Sequence, residues 1–384
     1  MPKRSNMYLP EMHLQKLNIY NFKNYRAAEL LFSDNVNCFI GNNGVGKTNL
    51  LDAIHYLSFC KSYFTANDLQ NIMHGEAFFS IHGSYRRNRE EETVIQCIQE
   101  RNKRKRFLLN RKEYDRFSDH IGQIPLVMIS PYDRDLINEG SEIRRKYVDS
   151  VISQFDKIYL DDLINYNKAL LQRNSLLKIF AEKRSWDLMA LEIWDEQLVR
   201  LGEEIYRKRK AFLKEIIPLF EKYFGMITGG AESVFIEYQT QLDASSFREK
   251  LSDSIQQDKA AQYTTVGIHK DDLGFMMGGF PIKRFGSQGQ QKSFVIALKL
   301  AQFEYTRKIR GFSPVLLLDD VFDKLDDARV QELIRLVSEH SFGQVFITDT
   351  SEERILKNFD QMQIDHRIFR LPLPGGSEVN PLEL

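Results

Sequence analysis

Cysteine is scarce in this chain: Cys38, Cys60 and Cys97 are the only three among 384 residues, and none form a C-x-x-C pair. This excludes a disulfide-stapled scaffold and a cysteine-based zinc site; the expectation is reduced, buried thiols in a cytosolic protein. Long apolar runs are lacking as well. No stretch approaches the roughly 18 consecutive apolar residues that a membrane-spanning helix requires, so no membrane association is expected. Nor is there an excess charge of either sign, because 53 basic residues balance 53 acidic ones. A polyanionic partner must therefore be sought in local clusters. The segment from Met1 to Glu11 is polar and has no apolar core of the kind a signal peptide carries; residues 1–12 and 372–384 are expected to be loose.

What is present is an α/β texture in two parts. Val36 to Ile40 runs largely apolar into a glycine-rich loop, and Leu50, Leu51, Ile54 and Leu57 recur at helical spacing over Thr48 to Phe59. Phe78 to Tyr85 and Thr93 to Ile98 read as hairpin strands, followed by a strand at Phe107 to Leu109 that turns at Asn110-Arg111-Lys112. From about Glu142 to Phe224 the chain is helical, and Gly202 is its only glycine. Leu191, Trp194, Leu198, Leu201 and Ile205, resumed by Phe212 and Ile216, lay one apolar stripe along a long helix. Strand and loop texture returns after Thr264, with a helix over Lys292 to Thr306, an apolar strand Val315 to Leu318, a helix Asp327 to Glu339 and a strand Gln344 to Thr348.

Three motifs carry chemistry. Gly41-Asn42-Asn43-Gly44-Val45-Gly46-Lys47-Thr48 fits G-x-x-x-x-G-K-[ST] at each fixed position, between an apolar strand and an amphipathic helix. Glycines let successive N–H groups face phosphate oxygens, the helix adds its positive end, Lys47 reaches the outer phosphates of ATP, and Thr48 reaches Mg²⁺. Val315 to Leu318 delivers Asp319 and Asp320 to the carboxyl edge of a sheet, where Asp319 suits the Mg²⁺ shell and Asp320 suits the attacking water. An acidic helix cap would explain those carboxylates alone, but the P-loop makes the paired reading stronger. Third, Ser287-Gln288-Gly289-Gln290-Gln291 precedes a helix, 32 positions before Asp319. It resembles the signature loop of ABC-type ATPases. Ser287, Gln288 and Gly289 would form a second anion site, best explained by the γ-phosphate presented by another copy of the chain. An ordinary glycine turn before a helix is the alternative. Asp323-Lys324-Leu325-Asp326 resembles the D-loop of the same enzymes. Thr348-Asp349-Thr350 stands where many of them place a γ-phosphate-sensing histidine, and Ser130-Pro131-Tyr132-Asp133 replaces an expected glutamine.

With these motifs placed, residues from about 13 to 370 resemble the bacterial RecF family. Beyond the ATPase motifs, the resemblance is carried by Ser130-Pro131 through Asp135-Leu136-Ile137, Gly140-Ser141, Arg144-Arg145 with Asp149, Tyr166 through Asn174, and Leu176-Leu177-Lys178. Gly267-Ile268-His269-Lys270-Asp271-Asp272 matches a Gly-Pro-His-Arg-Asp-Asp stretch, with Ile268 and Lys270 as departures, and Lys292 stands where arginine is usual. The resemblance implies an ABC-type P-loop ATPase head over 13–129 and 264–371, including a β-hairpin region at 78–112, interrupted by a short α-helical arm over 130–263. It further implies a cytoplasmic recombination mediator that binds ATP with Mg²⁺, dimerises on it and hydrolyses it slowly. Such a protein binds duplex DNA near single-stranded gaps and works with RecR and RecO to load RecA.

The residues offer separate support for DNA. Between Arg86 and Lys112 ten basic side chains face four acidic ones, and Arg101, Lys103, Arg104, Lys105 and Arg106 are the densest group. Such a patch can neutralise phosphates without reading bases, although charge runs often only face water. Arg207-Lys208-Arg209-Lys210 reads as a solvated helix face. Two other functions compete, an SMC-like structural clamp and a transporter's ATPase subunit. The arm is too short for the long rods of the first, and its RecF-like stretches fit no transporter coupling surface.

Overall fold

The computed structural model describes residues 12–87, 91–230, 232–243, 246–323, 325–338, 342–361, 365–371 and 378–379. The chain divides into two compact units, one of residues 1–133, 226–229 and 288–384, the other of 134–225 and 230–287.

A five-stranded sheet organises the first unit, in the order His366–Arg370, Val36–Ile40, Val345–Asp349, Val315–Leu318, Leu126–Ile129, with every neighbour parallel. The last four of these strands are buried at each position. Such strands, apolar except at Asn37, Thr348 and Asp349, are what a parallel sheet covered on both faces needs. A second sheet places Glu378–Val379, Tyr25–Leu31, Met12–Phe22, Phe78–Arg87, Glu91–Glu100, Arg106–Leu109 and Lys112–Glu113 side by side. The helix Lys47–Phe59 is buried on all sides, and Leu50, Leu51, Ile54 and Leu57 share one core with Leu14, Leu17 and Ile19 of the second sheet and Phe39, Leu126, Leu317 and Phe346 of the first. The turn expected after Leu109 is a two-residue connection: Asn110 and Arg111 both adopt positive φ, 48° and 69°, the backbone of a type I′ hairpin. Of the tail expected to be loose, Glu378–Val379 pairs with Ala27 and Ala28, and Met12 begins a strand; residues 1–11, 372–377 and 380–384 lie outside the described residues.

The second unit contains the helices Ser141–Ser153, Lys157–Lys183, Leu188–Gly225 (the part in this unit of a helix that runs to Thr228), Phe247–Asp253 and Ile255–Ala261. Leu191, Leu198, Leu201, Ile205, Phe212 and Ile216 are buried along the long helix, as their spacing requires, and Trp194 is half-buried. Gly202 interrupts the helical composition for a steric reason: a Cβ there would lie 2.6 Å from the ring of Phe247. The unit is not purely helical. Val234–Gln239, Asp272–Met277 and Phe280–Pro281 form an antiparallel sheet within it, so 264–287, expected in the head, clusters with the arm helices instead.

Candidate nucleotide site

The P-loop is shaped by close contacts that only glycine tolerates. Gly46 has φ 108°, and a Cβ on it would fall 2.4 Å from Asn24 Nδ2 and 2.8 Å from the Tyr25 hydroxyl. Those two side chains clasp the loop, the Asn24 amide donating to the Val45 carbonyl (3.0 Å) and the Tyr25 hydroxyl to the Gly46 carbonyl (3.1 Å). Gly46 precedes the helix Lys47–Phe59 without any side-chain cap, and no acidic residue occupies the first turn. Uncapped N–H groups at a helix start, with room for close approach, are the donor set a phosphate needs. Lys47 Nζ donates to the carbonyls of Gly41 (2.8 Å) and Asn42 (3.1 Å), so its charge is held over the loop.

The strand Val315–Leu318, which stands where P-loop ATPases have their Walker B strand, brings the carboxylates of Asp319 and Asp320 to the same place. The Thr48 hydroxyl lies 2.9 and 3.2 Å from the two oxygens of Asp319, and the Thr348 hydroxyl donates to Asp319 Oδ1 at 2.9 Å. Burial raises the Asp319 carboxyl to about 6, against the pull of hydrogen bonds from Thr348 and Thr48. A hydroxyl beside a buried carboxylate, both hard oxygen donors, fits Mg²⁺, which takes few protein ligands and keeps several waters. Asp320 has a left-handed backbone, φ 45°, and its N–H is fixed on the Thr348 hydroxyl at 2.9 Å. Its half-buried carboxyl is also raised, chiefly by burial. Thr348, noted in the sequence only for what it replaces, thus joins the Asp319 carboxylate to the Asp320 backbone. Asn24 and Tyr25 belong to no motif of the sequence, and only the fold brings them onto the loop.

The other predicted residues fall in different settings. Ser287 is the last residue of the second unit, and Gln288 and Gly289 open the helix Gln288–Arg310 of the first. Behind them Lys292 Nζ donates to the carbonyls of Asp320 (3.2 Å) and Asp323, joining this helix to the D-loop-like segment; Lys324 lies outside the described residues. Asp133, in place of the expected glutamine, is buried and takes hydrogen bonds from the Ser130 N–H (2.7 Å) and the Tyr63 hydroxyl beside Lys299 Nζ (2.7 Å). In the basic hairpin region Arg101, Lys103, Arg104 and Arg106 are exposed, whereas Lys105 turns inward onto the Cys60 carbonyl (2.7 Å) and Asp68 (2.5 Å). Arg89 and Glu90 lie outside the described residues.

A family profile described as the RecF/RecN/SMC N terminal domain matches residues 13–367. The DNA replication and repair protein RecF of Flavobacterium johnsoniae is 50% identical over 360 residues, 94% of this chain and 100% of that one. The chain belongs to the RecF family. A solved structure of the recombination mediator protein RecF with ATP, in the RecFOR pathway, superposes with a TM-score of 0.84 at 31% identity, covering 91% of this chain and 94% of that one. The Smc head domain of Pyrococcus furiosus shares the fold alone, with a TM-score of 0.54 at 18% identity over 89% of this chain and 90% of that one. The ABC-type head with a helical arm is therefore the fold of this RecF-family chain.

Three of the RecF-like stretches outside the ATPase motifs, around Arg144, Tyr166 and Asp271, meet inside the second unit. Arg144 forks onto Asp272 (2.6 and 2.9 Å) and Arg145 donates to the Asp271 carbonyl (2.6 Å). Arg209 meets Asp149 (3.0 Å), Asp271 (3.0 Å) and the Ile268 carbonyl (2.8 Å), and the Tyr166 hydroxyl meets His269 Nδ1 (2.9 Å). Arg209 is 3% exposed, which corrects its reading as part of a solvated face. The stretches that mark a RecF sequence here form a buried ionic core.

Proposed function

We propose that this RecF-family chain is an ATP-gated, DNA-binding recombination mediator that dimerises on ATP and Mg²⁺. The observation that carries this reading is the joining of P-loop and Walker B by the hydrogen bonds Thr48–Asp319–Thr348. Lys47 exchanges the Gly41 and Asn42 carbonyls for the outer phosphates, and the uncapped first turn of its helix takes their charge. Thr48 and Asp319 would hold Mg²⁺, whose charge would offset that of the phosphate oxygens. Asp320, with its N–H pinned by Thr348, orients the attacking water and accepts its proton. Ser287, Gln288 and Gly289 of a second copy take the γ-phosphate, so that ATP holds two chains together and slow hydrolysis releases them.

The exposed residues Arg101, Lys103, Arg104 and Arg106 supply phosphate contacts to duplex DNA beside a single-stranded gap; Lys105, facing inward, is not among them. RecR and RecO are the partners with which the dimer acts to load RecA, and the cytoplasm is where it works. The RecFOR pathway of the solved relative supports this assignment, as does the lack, among described residues, of any helix long and apolar enough to cross a membrane. The test is binding to gapped and blunt duplex with and without ATP and Mg²⁺. Tighter binding to the gapped substrate, dependent on ATP, is expected; equal affinity for both substrates in either nucleotide state overturns the reading.

A further inference from the structure

The end of the strand Val345–Asp349 lacks the histidine with which many ABC-type enzymes meet the γ-phosphate, and the residues present divide the task. The Thr348 hydroxyl is committed to Asp319 and to the Asp320 N–H. Asp349 lies at the mouth of the P-loop, where its carbonyl accepts from the Gly41 N–H (3.3 Å). Its side chain is a carboxylate, which adds a third negative group to the sheet edge that already carries Asp319 and Asp320. A triphosphate tail cannot approach such an edge favourably unless a cation intervenes.

Lys47 is one such cation, and Arg354 is a second. The latter lies in the first turn of the helix Glu352–Gln361 and reaches back to grip Asp349 in a fork, Nη2 to Oδ1 at 2.6 Å and Nε to Oδ2 at 3.1 Å. The two side chains differ in exposure: Asp349 is 3% exposed and Arg354 36%. The carboxylate is thus sealed underneath, and the guanidinium forms the surface above it. The hydrogen bond from Asp349 is the main cause that raises the guanidinium above its ordinary value, and the charges of Asp323 and Asp320 act in the same direction. A planar guanidinium with fixed donors matches phosphate oxygens better than any other side chain, and a buried carboxylate behind it fixes its orientation.

We propose that Arg354, aimed by Asp349, is the γ-phosphate contact of this protein and takes the place of the missing histidine. The inference rests on the reading of Gly41 to Thr48 as an ATP site, and gives that site its means of telling ATP from ADP. The Asp349–Arg354 pair cancels charge in the resting state, and the guanidinium keeps its fork on Asp349 while its remaining donors meet the third phosphate.

The experiment is calorimetric titration of the full chain with Mg²⁺ and either a non-hydrolysable ATP analogue or ADP. A charge-assisted contact of this kind predicts that R354A weakens the analogue by about tenfold or more while leaving ADP within about twofold. R354K, which keeps charge but loses the fork, recovers part of the difference. Because R354A leaves a buried carboxylate unpaired, the double variant D349N/R354A serves as its neutral counterpart and loses the same preference. Dimer formation with the analogue, followed by sedimentation, moves to higher protein concentration in all three variants. Equal weakening of the analogue and ADP, or unchanged affinity for both, overturns the proposal. Failure of the wild-type chain to bind either nucleotide overturns the ATP site itself, an outcome distinct from both.

Discussion

At the scale of single residues, side-chain direction sorts charges that composition treats alike. Arg104, Lys105 and Arg106 are consecutive in sequence, yet only the outer two face solvent. Phe107 is buried at the edge of the second sheet, and strand alternation puts Lys105 on the same face. There its ammonium meets the Cys60 carbonyl and Asp68 and lies over the Tyr56 and Phe117 rings at 5.1 and 5.4 Å. The inward turn was legible from the period of two, but the density of positive charge concealed it. Lys105→Met is expected to lower stability to urea by about 1–3 kcal/mol, because Asp68 loses its cation and keeps only the Tyr56 hydroxyl. Arg104→Glu with Arg106→Glu should leave stability nearly unchanged and flatten the salt dependence of DNA binding. Equal stability losses in the two cases, with an unchanged salt slope, would remove the hairpin from the DNA surface.

At the scale of elements, what was legible depended on whether a residue's partners are local. The strands Val36–Ile40 and Val315–Leu318 and the helix Lys47–Phe59 stand where apolar runs and helical spacing put them. The P-loop could be read because its chemistry is contiguous. Thr348 and Arg354 could not, since their meaning lies in contacts with Asp319 and Asp349 that no spacing rule encodes. Arg209 is the instructive intermediate. It fills the gap in the stripe between Ile205 and Phe212, so periodicity turns it inward, and the basic run around it disguises that position. Its partners Asp149 and Asp271 come from remote segments. Arg209→Leu strands both carboxylates, and a loss of about 3–5 kcal/mol is expected in thermal or urea unfolding. A change below about 1 kcal/mol would mean that Tyr159 and Tyr238, which also donate to those carboxylates, suffice alone.

At the scale of the whole molecule, the division falls between Ser287 and Gln288, inside the loop that resembles an ABC signature. Strand texture resumes near Thr264, which by itself suggests a boundary there, but that texture belongs to a small sheet of the second unit. If Ser287 meets the partner's nucleotide, a bulky cation there should block assembly without touching the chain's own P-loop. Ser287→Arg is therefore expected to bind ATP normally and sediment as a monomer with ATP and Mg²⁺, whereas Lys47→Met loses ATP binding and ATP-dependent assembly together. A Ser287→Arg chain that still pairs would detach the signature loop from the interface.

The order of the parallel sheet has a consequence for biosynthesis. Val36–Ile40 and Leu126–Ile129 are made early, yet Val345–Asp349 and Val315–Leu318 separate them in the finished sheet. The first half of the nascent chain therefore emerges with two strands that cannot pair with each other and a phosphate loop lacking its acidic counterpart. Contacts this remote in sequence close slowly. A prematurely terminated chain ending before Val315 would carry the Lys47 loop without Asp319, and so would offer the cell no partial switch able to compete for nucleotide with Mg²⁺.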